Sequence, residues 1–230
     1  MSQQNALADW DQLSADEIID KALAEFPGPA CFTCSFQAED VAVLDLLRRR
    51  QPDIPVLFLE TGYHFPETIA YRDKLATEWN LNLVNLSSKM SVADQESQFG
   101  ILNQTNPTRC CDMRKVGPLW EGLRDYKTWF TGLRREQSPT RAKMHSAELH
   151  VLPTGEELLK VSPAAAWKWN EVWAYLTIQE IESLPLYEQG YTSIGCAPCT
   201  ALPTGDDMRS GRWGGRKLEC GIHTFTEAKG

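Results

Sequence analysis

Hydrophobic and polar positions along the chain alternate in a way that predicts helices and short buried strands in turn. Ser14-x-x-Glu17 has the form of a capping box, and the amphipathic run behind it predicts a helix to about Phe26, stopped by Pro27-Gly28-Pro29. Short apolar runs at Ala30 to Cys34, Val56 to Leu59, Leu81 to Leu86 and Thr128 to Thr131 read as buried strands, separated by helical patterns such as Glu39 to Arg50 and Pro66 to Trp79. This order predicts an α/β fold, a Rossmann-like parallel sheet flanked by helices. In such sheets ligands sit at the carboxyl ends of the strands, where helix N-termini offer free backbone N–H groups. The segments just after strands therefore carry most weight. They are Ser35-Phe36-Gln37-Ala38-Glu39-Asp40, Glu60-Thr61-Gly62-Tyr63-His64 and Gly132-Leu133-Arg134-Arg135-Glu136-Gln137-Ser138.

A further helical stretch, Ala164 to Glu180, carries Trp167, Trp169, Trp173 and Tyr175, which read as core or subunit interface. From Thr204 the chain turns Gly-rich and charged, with Gly205, Gly211, Gly214 and Gly215, and apolar periodicity fades. The expected division is a domain over 1–203 and a mobile C-terminal tail over 204–230.

With 230 residues, 42% of them hydrophobic, the chain can bury one sizeable core. No apolar run approaches the length of a membrane span, and the start, Met1-Ser2-Gln3-Gln4-Asn5, lacks the regions of a signal peptide, so a cytoplasmic protein is expected. A formal charge of -8 argues against non-specific nucleic-acid binding but leaves room for a small anionic ligand. Lys115, Arg134, Arg135, Arg141, Arg209, Arg212, Arg216 and Lys217 could line a local positive pocket; composition alone supports a scatter of solvated charges equally well.

Seven cysteines in a chain with no export signal read as metal ligands or catalytic thiols. Cys110-Cys111 and Cys196-Ala197-Pro198-Cys199 offer four thiolates in two close pairs, a full set for one tetrahedral or cubane site. Zinc knuckles place residues between the two cysteines so that both sulfurs turn to one ion, which adjacent cysteines do with difficulty. A cubane binds each thiolate at a different iron, so the adjacent pair favours a 4Fe-4S cluster, with zinc as the alternative. A metal-free redox C-x-x-C would leave Cys110 and Cys111 unexplained. Cys31 and Cys34 fall in the first strand and read as small buried hydrophobes. Cys220 sits in the polar tail, with Arg216 and Lys217 before it and His223 after it. Positive neighbours favour the thiolate, yet on these residues alone an idle surface thiol is the better reading.

Taken in order, Ser35-Phe36-Gln37-Ala38-Glu39-Asp40, Leu59-Glu60-Thr61-Gly62, Cys110-Cys111-Asp112-Met113-Arg114-Lys115, Thr131-Gly132-Leu133-Arg134-Arg135-Glu136-Gln137-Ser138, Cys196-x-x-Cys199 and Glu219-Cys220-Gly221-Ile222-His223 carry a family resemblance. From about Cys34 to His223 the chain resembles the assimilatory sulfonucleotide reductases, closest to the thioredoxin-dependent adenylyl-sulfate (APS) reductases that contain a 4Fe-4S cluster. Each motif alone is weak; the ordered series is specific.

The resemblance implies an adenine nucleotide alpha hydrolase-like fold and a reaction in which Cys220 attacks the sulfur of APS. AMP leaves, an S-sulfocysteine forms, and thioredoxin reduces it with release of sulfite. Cys220, Lys115 and His223 would be catalytic, with Lys115, Arg209 and Arg212 neutralising the substrate's oxygens. Ser35, Phe36, Gln37, Leu59, Thr61 and Gly132 would bind the nucleotide, with Arg134 and Arg141 on a mobile loop beside it. Cys110, Cys111, Cys196 and Cys199 would hold one 4Fe-4S cluster per subunit, tuning the local field without carrying electrons. The loop after the first strand matches the family's phosphate-binding loop but lacks the Ser-Gly-Gly-x-Asp-Ser of ATP pyrophosphatases, so no ATP cleavage is expected. Glu60 stands where many relatives have Asp. His64 reads as a helix-capping residue, His145 and His150 as surface residues, and Tyr187 to Ile194 as surroundings of the cluster.

A separate thioredoxin or glutaredoxin-like protein is the expected reductant, because no such domain lies in the chain. A homo-oligomer, a tetramer for preference, is the expected assembly, and neither nucleic acid nor membrane is an expected partner. Two rival readings are a reductase of 3'-phosphoadenylyl sulfate (PAPS), alone or together with APS, and a non-catalytic nucleotide-binding module with structural zinc. Relatives specific for PAPS typically lack the two cysteine pairs, which favours APS.

Overall fold

A computed structural model describes residues 7–205, 207–217 and 219–223. Helix α1 (Ala15–Glu25) opens on the expected capping box: Ser14 Oγ accepts from the Glu17 N–H at 3.3 Å, and the Glu17 carboxylate accepts from the Ser14 N–H at 2.8 Å. Both satisfy groups that a helix start leaves unpaired.

The strands are β1 (Ala30–Thr33), β2 (Val56–Glu60), β3 (Leu83–Ser87), β4 (Thr128–Thr131), β5 (Ala147–Val151) and β6 (Glu157–Val161). They form one sheet in the order β3-β2-β1-β4-β6-β5, parallel throughout except for β5 against β6. Successive strand residues point to opposite faces, and each face has its own core. Phe32, Val56, Phe58, Phe130 and Leu159 join α1, α2 (Ala38–Arg48) and the aromatic helix α7 (Trp169–Ile178) on one side. On the other, Cys31, Leu57, Trp129 and Leu158 pack with Leu119 and Leu123 of α6 (Gly117–Leu123). Cys31 and Cys34 are buried, as their strand position predicts.

All four strands read from the sequence are present, β3 starting two residues late. The β5–β6 hairpin has no counterpart among those expectations, because its alternation is disguised by His150 and Lys160. Lys160 is 1% exposed, its ammonium 3.0 Å from the Glu148 carboxylate on the facing strand and 5.4 Å from the Trp129 ring centroid. His150, read as a surface residue, is buried and stacks on Trp120 at 5.3 Å. His145 is exposed and pairs with Asp11 at 2.7 Å. Helix α7 begins at Trp169 and not at Ala164, since the Glu171 carboxylate accepts from the Lys168 N–H at 2.7 Å and fixes the start there. Its Trp169, Trp173 and Tyr175 pack on the core, and Tyr175 donates to Asp45 at 2.7 Å. Among the described residues no helix is long and apolar enough to cross a membrane.

From β1 the chain runs outward through β2 and β3, then returns to place β4 on the other side of β1. The strand order therefore switches between β1 and β4, where a ligand crevice opens at the carboxyl ends of the strands.

Candidate active site

The crevice is a cleft of about 970 Å³, its open mouth included, within the range of small-molecule sites. After β1 the backbone turns at Phe36, whose φ of 59° lies in the left-handed region that side chains rarely adopt. Burial holds the turn: the Phe36 ring is fully inside the core, edge-on to Phe58 at 5.7 Å. The loop then closes on Asp40, whose carboxylate accepts from the Ser35 N–H at 2.6 Å and the Ser35 hydroxyl at 2.5 Å. Gln37 donates to Ser35 Oγ at 3.0 Å and accepts from the Ile194 N–H at 2.7 Å, tying the loop to the segment before the second cysteine pair. At the end of β4, Gly132 passes so near α2 that an added Cβ would lie 2.0 Å from Asp40 Oδ1 and 2.9 Å from Asp40 Cα. Burial, with the charge of Glu39, raises the Asp40 carboxyl to about 7.

Lys115 enters from the far side. Beyond α4 (Val92–Phe99), helix α5 (Pro107–Cys111), capped by the Asn106 side chain accepting from the Arg109 N–H at 3.1 Å, runs into a π-helical turn, Asp112–Val116, and then into α6. Such turns are rare and gather at functional sites. This one carries Lys115 to a position lining both the cleft and a second, smaller cavity.

That second cavity is walled by Cys110, Cys111, Cys196 and Cys199, with Thr61, Tyr63, Arg114 and Trp213. A bridge between His64 and Cys196, and the Ala197 N–H donating to the Tyr63 carbonyl at 2.7 Å, bring the second pair against the loop after β2. The Thr61 hydroxyl lies 3.3 Å from Cys196 Sγ, and the Arg114 guanidinium donates to the Thr61 carbonyl and, at 3.0 Å, to Gln95 Oε1. The four cysteines thus line a single cavity. Burial pushes the Cys110 thiol up to about 11 and raises Cys111 and Cys199. At Cys196 burial acts the same way, but Lys115, the Thr61 hydroxyl and Arg212 outweigh it and hold the thiol below its usual value.

Described residues between Arg209 and His223 line the cleft, and Trp213 also lines the second cavity. Trp213 is 3% exposed and lines each of them, with the guanidinium of Arg212 4.5 Å and that of Arg209 5.9 Å from its ring. Cys220, Ile222 and His223 line the cleft. His223 stacks on Trp129 at 5.6 Å, and its buried Nδ1 has no partner among the described residues. Burial, reinforced by Lys160 and Arg141, drives its pKa well below the usual value.

Ten of the residues singled out from the sequence thus meet at one cleft: Cys220, Lys115, His223, Ser35, Gln37, Leu59, Gly132, Arg141, Arg209 and Arg212. Three do not. Phe36 is buried in the core, Thr61 faces the cysteines, and Arg134 is buried behind the cleft, donating to the Trp167 carbonyl at 3.2 Å and Glu136 at 3.1 Å. His64 does not cap a helix; α3 (Pro66–Glu78) starts from Phe65, and the imidazole lines the cleft with Nε2 2.8 Å from the Leu59 carbonyl. Ile194 also lines the cleft, while the Tyr187 hydroxyl accepts from the Ala38 N–H at 3.0 Å. Trp213 escaped the sequence reading, although a lone aromatic in Arg212-Trp213-Gly214-Gly215-Arg216 was the available signal.

Known proteins agree with this architecture. The crystal structure of phosphoadenylyl-sulfate (PAPS) reductase from Candida auris, a phosphate complex, superposes with a TM-score of 0.71 over 86% of this chain and 97% of that one, at 22% identity. The adenosine 5'-phosphosulfate reductase of Streptomyces coelicolor is 41% identical over 225 residues, covering 96% of this chain and 92% of the relative. The phosphoadenosine 5'-phosphosulfate reductase of Gloeobacter violaceus is 39% identical over 220 residues, 93% of this chain and 90% of its own length. Residues 29–202 match the phosphoadenosine phosphosulfate reductase domain, and with three-quarters of its length so matched the chain belongs to that family.

Proposed function

We propose that this protein reduces a sulfonucleotide in sulfate assimilation, with APS as the nucleotide, Cys220 as the attacking group and a thioredoxin-like dithiol as the reductant. One observation carries the reading: Lys115 and the C-terminal Arg209, Arg212 and Cys220, far from it in sequence, line one nucleotide-sized cleft at the strand-order switch.

The Cys220 thiolate attacks the substrate's sulfur, and the bond from that sulfur to the phosphate oxygen breaks. The electron pair leaves with AMP. Lys115 and Arg212, with Arg209 at the rim, supply the positive field that the sulfonate and phosphate oxygens require as charge builds on the leaving group. Burial alone would push the Lys115 ammonium down, but the neighbouring thiols of Cys196, Cys220 and Cys111 more than offset it and keep the side chain charged. Ser35 and Gln37 sit where the nucleotide's phosphate would meet the start of α2. A thiolate of the reductant then attacks Cys220 Sγ and expels sulfite, and its second thiol resolves the mixed disulfide.

Cys110, Cys111, Cys196 and Cys199 would hold a 4Fe-4S cluster. Four cysteines line one cavity, and the adjacent Cys110-Cys111 pair suits a group that meets each sulfur at a different iron better than a single zinc, which draws its ligands to one point. When bound, the cluster supplies a fixed local field beside Lys115. The same two cysteine pairs support APS over PAPS, and comparing kcat/KM for the two nucleotides tests that choice.

Mass spectrometry of enzyme incubated with APS and no reductant tests the reaction. The expected result is a sulfonate on the Cys220 peptide with one AMP released per adduct; AMP release with Cys220 unmodified would overturn the mechanism.

A further inference from the structure

The residue before the nucleophile has no part in the chemistry above, yet its carboxylate makes a dense set of polar contacts beside the cleft. Glu219 Oε1 accepts from Arg141 Nε at 3.0 Å, from the Ser138 hydroxyl at 2.9 Å and from the Thr140 hydroxyl at 3.0 Å. Its Oε2 accepts from Arg141 Nη2 at 2.7 Å and lies 3.5 Å from Arg209 Nη2. The Arg141 contact is thus a two-point, charge-assisted pair, the strong form of the guanidinium–carboxylate interaction. It is also sheltered, with the two side chains 9% and 16% exposed. Burial would raise the Glu219 carboxyl, and Arg141 outweighs it and holds the group ionised.

Arg141 is committed from its other side as well, since it donates to Gln137 Oε1. Gln137 in turn donates to the Glu39 carboxylate at 2.5 Å, so the arginine is part of a network built from β4's following loop and the start of α2. Lys115 and Arg212 have no carboxylate partner of this kind among the described contacts, and Arg212 Nε is buried without a hydrogen-bond acceptor. The cleft's cations therefore fall into two sets. Lys115 and Arg212 face the nucleophile and the cysteines with capacity to spare; Arg141 is taken up on both sides, by a carboxylate from the tail and by Gln137.

We propose that Glu219 is a positioning residue whose carboxylate docks the tail onto Arg141, Ser138 and Thr140 so that Cys220 is presented to bound nucleotide, and that Arg141 serves as the receptor of the tail and not of the substrate's anion. The proposal rests on Cys220 being the attacking group, and it assigns a cause to how a thiol on a separate segment reaches the reacting sulfur. Losing the dock leaves the nucleotide site intact but lowers the fraction of time that Cys220 spends in place.

Three variants of the full-length protein with its native cofactor content test this: Glu219→Gln, Arg141→Gln and Ser138→Ala. Cys220 alkylation by iodoacetamide, followed on its own peptide by mass spectrometry, reports undocking without any turnover. Glu219→Gln and Arg141→Gln are expected to speed it by about tenfold or more, and Ser138→Ala by less, because the rate follows the population of the open form. AMP affinity is expected to be unchanged in all three, and kcat for sulfite release to fall in the same order with KM held. A residue that merely stabilised the fold would move AMP affinity and visible absorbance together. Two results would overturn the proposal: Arg141→Gln weakening AMP or APS binding while Cys220 alkylation stays slow, or Glu219→Gln tightening APS, which would make the carboxylate a stand-in for substrate. Because alkylation needs no substrate, a wild-type enzyme that releases no sulfite would refute the reaction while leaving the docking test readable.

Discussion

Replacing Gly132 with alanine asks whether the cleft depends on the near contact between β4 and α2. Gly132 has no left-handed φ, so alanine meets no conformational penalty there, and the whole effect must come from space. The new methyl would stand 2.0 Å from Asp40 Oδ1, 2.9 Å from Asp40 Cα and 3.0 Å from Asp40 Cγ. The carboxylate could swing away only by giving up its hydrogen bonds to Ser35 at 2.6 and 2.5 Å, and the Cα belongs to the first turn of α2 and moves only with the helix. Overpacking of this kind costs about 1–3 kcal/mol. For a chain of this size each kcal/mol lowers Tm by roughly 2–4 °C. Separating α2 from β4 also displaces Ser35 and Gln37, so AMP binding by calorimetry should weaken by about tenfold or more, equivalent to about 1.4 kcal/mol. Gly155→Ala is the control. At φ +96 with nothing within 4 Å, it tests backbone strain alone, expected to cost about 1–2 kcal/mol with AMP affinity untouched. A Gly132→Ala enzyme with wild-type Tm and AMP affinity would refute the reasoning.

Other outcomes follow from the same contacts. Burial lowers His150 to about 4, so the unfolded chain binds the extra proton between roughly pH 6.5 and 4 and stability drops as pH falls through that window. His150→Phe, which keeps the stack on Trp120, should recover up to about 2 kcal/mol at pH 5 relative to pH 7.5 in denaturant melts; an unchanged pH dependence would place the imidazole in solvent. Asp40 has the opposite sign: its raised pKa means the folded state holds the proton, and its contribution declines as pH rises from about 4 to about 7. Asp40→Asn should therefore gain stability relative to wild type across that interval, and a constant difference would contradict the assignment. Arg134→Met should lose about 1–3 kcal/mol of stability, from its bonds to the Trp167 carbonyl and Glu136, with AMP affinity preserved; weakened AMP binding would return Arg134 to the substrate site.

The parallel half of the fold was legible because its strands are continuous apolar runs ended by Gly, Pro or polar clusters. The β5–β6 hairpin was not, since a buried lysine and a buried histidine interrupt its pattern. Lys160 is inside with Glu148 facing it across the hairpin, a pairing no single-strand pattern contains. Lys115, Arg209, Arg212 and Cys220, singled out by residue type, line one cleft, but residue type does not give direction. Ser35 and Phe36 are neighbours in one motif, but a left-handed turn sends the first toward the ligand space and the second into the core. Arg134 and Arg141 share a loop, yet Arg134 turns inward to the Trp167 carbonyl and Arg141 outward to Glu219. Those choices depend on partners 33 and 78 residues away.

The placement of Lys115 bears on how any cysteine variant of this protein should be interpreted. Cys110 and Cys111 end α5, and the π-helical turn that follows without a break carries Lys115, so a side chain that lines the cleft is held from the thiol cavity. Cys196 is coupled to the same region through the Thr61 hydroxyl, and the Thr61 carbonyl accepts from Arg114 one residue before Lys115. Removing one thiol therefore loosens the lysine's support whatever chemistry the thiols perform. A loss of activity in such a variant cannot by itself distinguish electron transfer from positioning, because both run through the same turn. Lys115→Arg separates them, since it keeps the charge and the thiols but changes the reach of the cation. If the cysteines act by positioning Lys115, this variant should lower kcat with visible absorbance unchanged, matching the cysteine variants in kind. Full activity in Lys115→Arg would break the link between the two cavities.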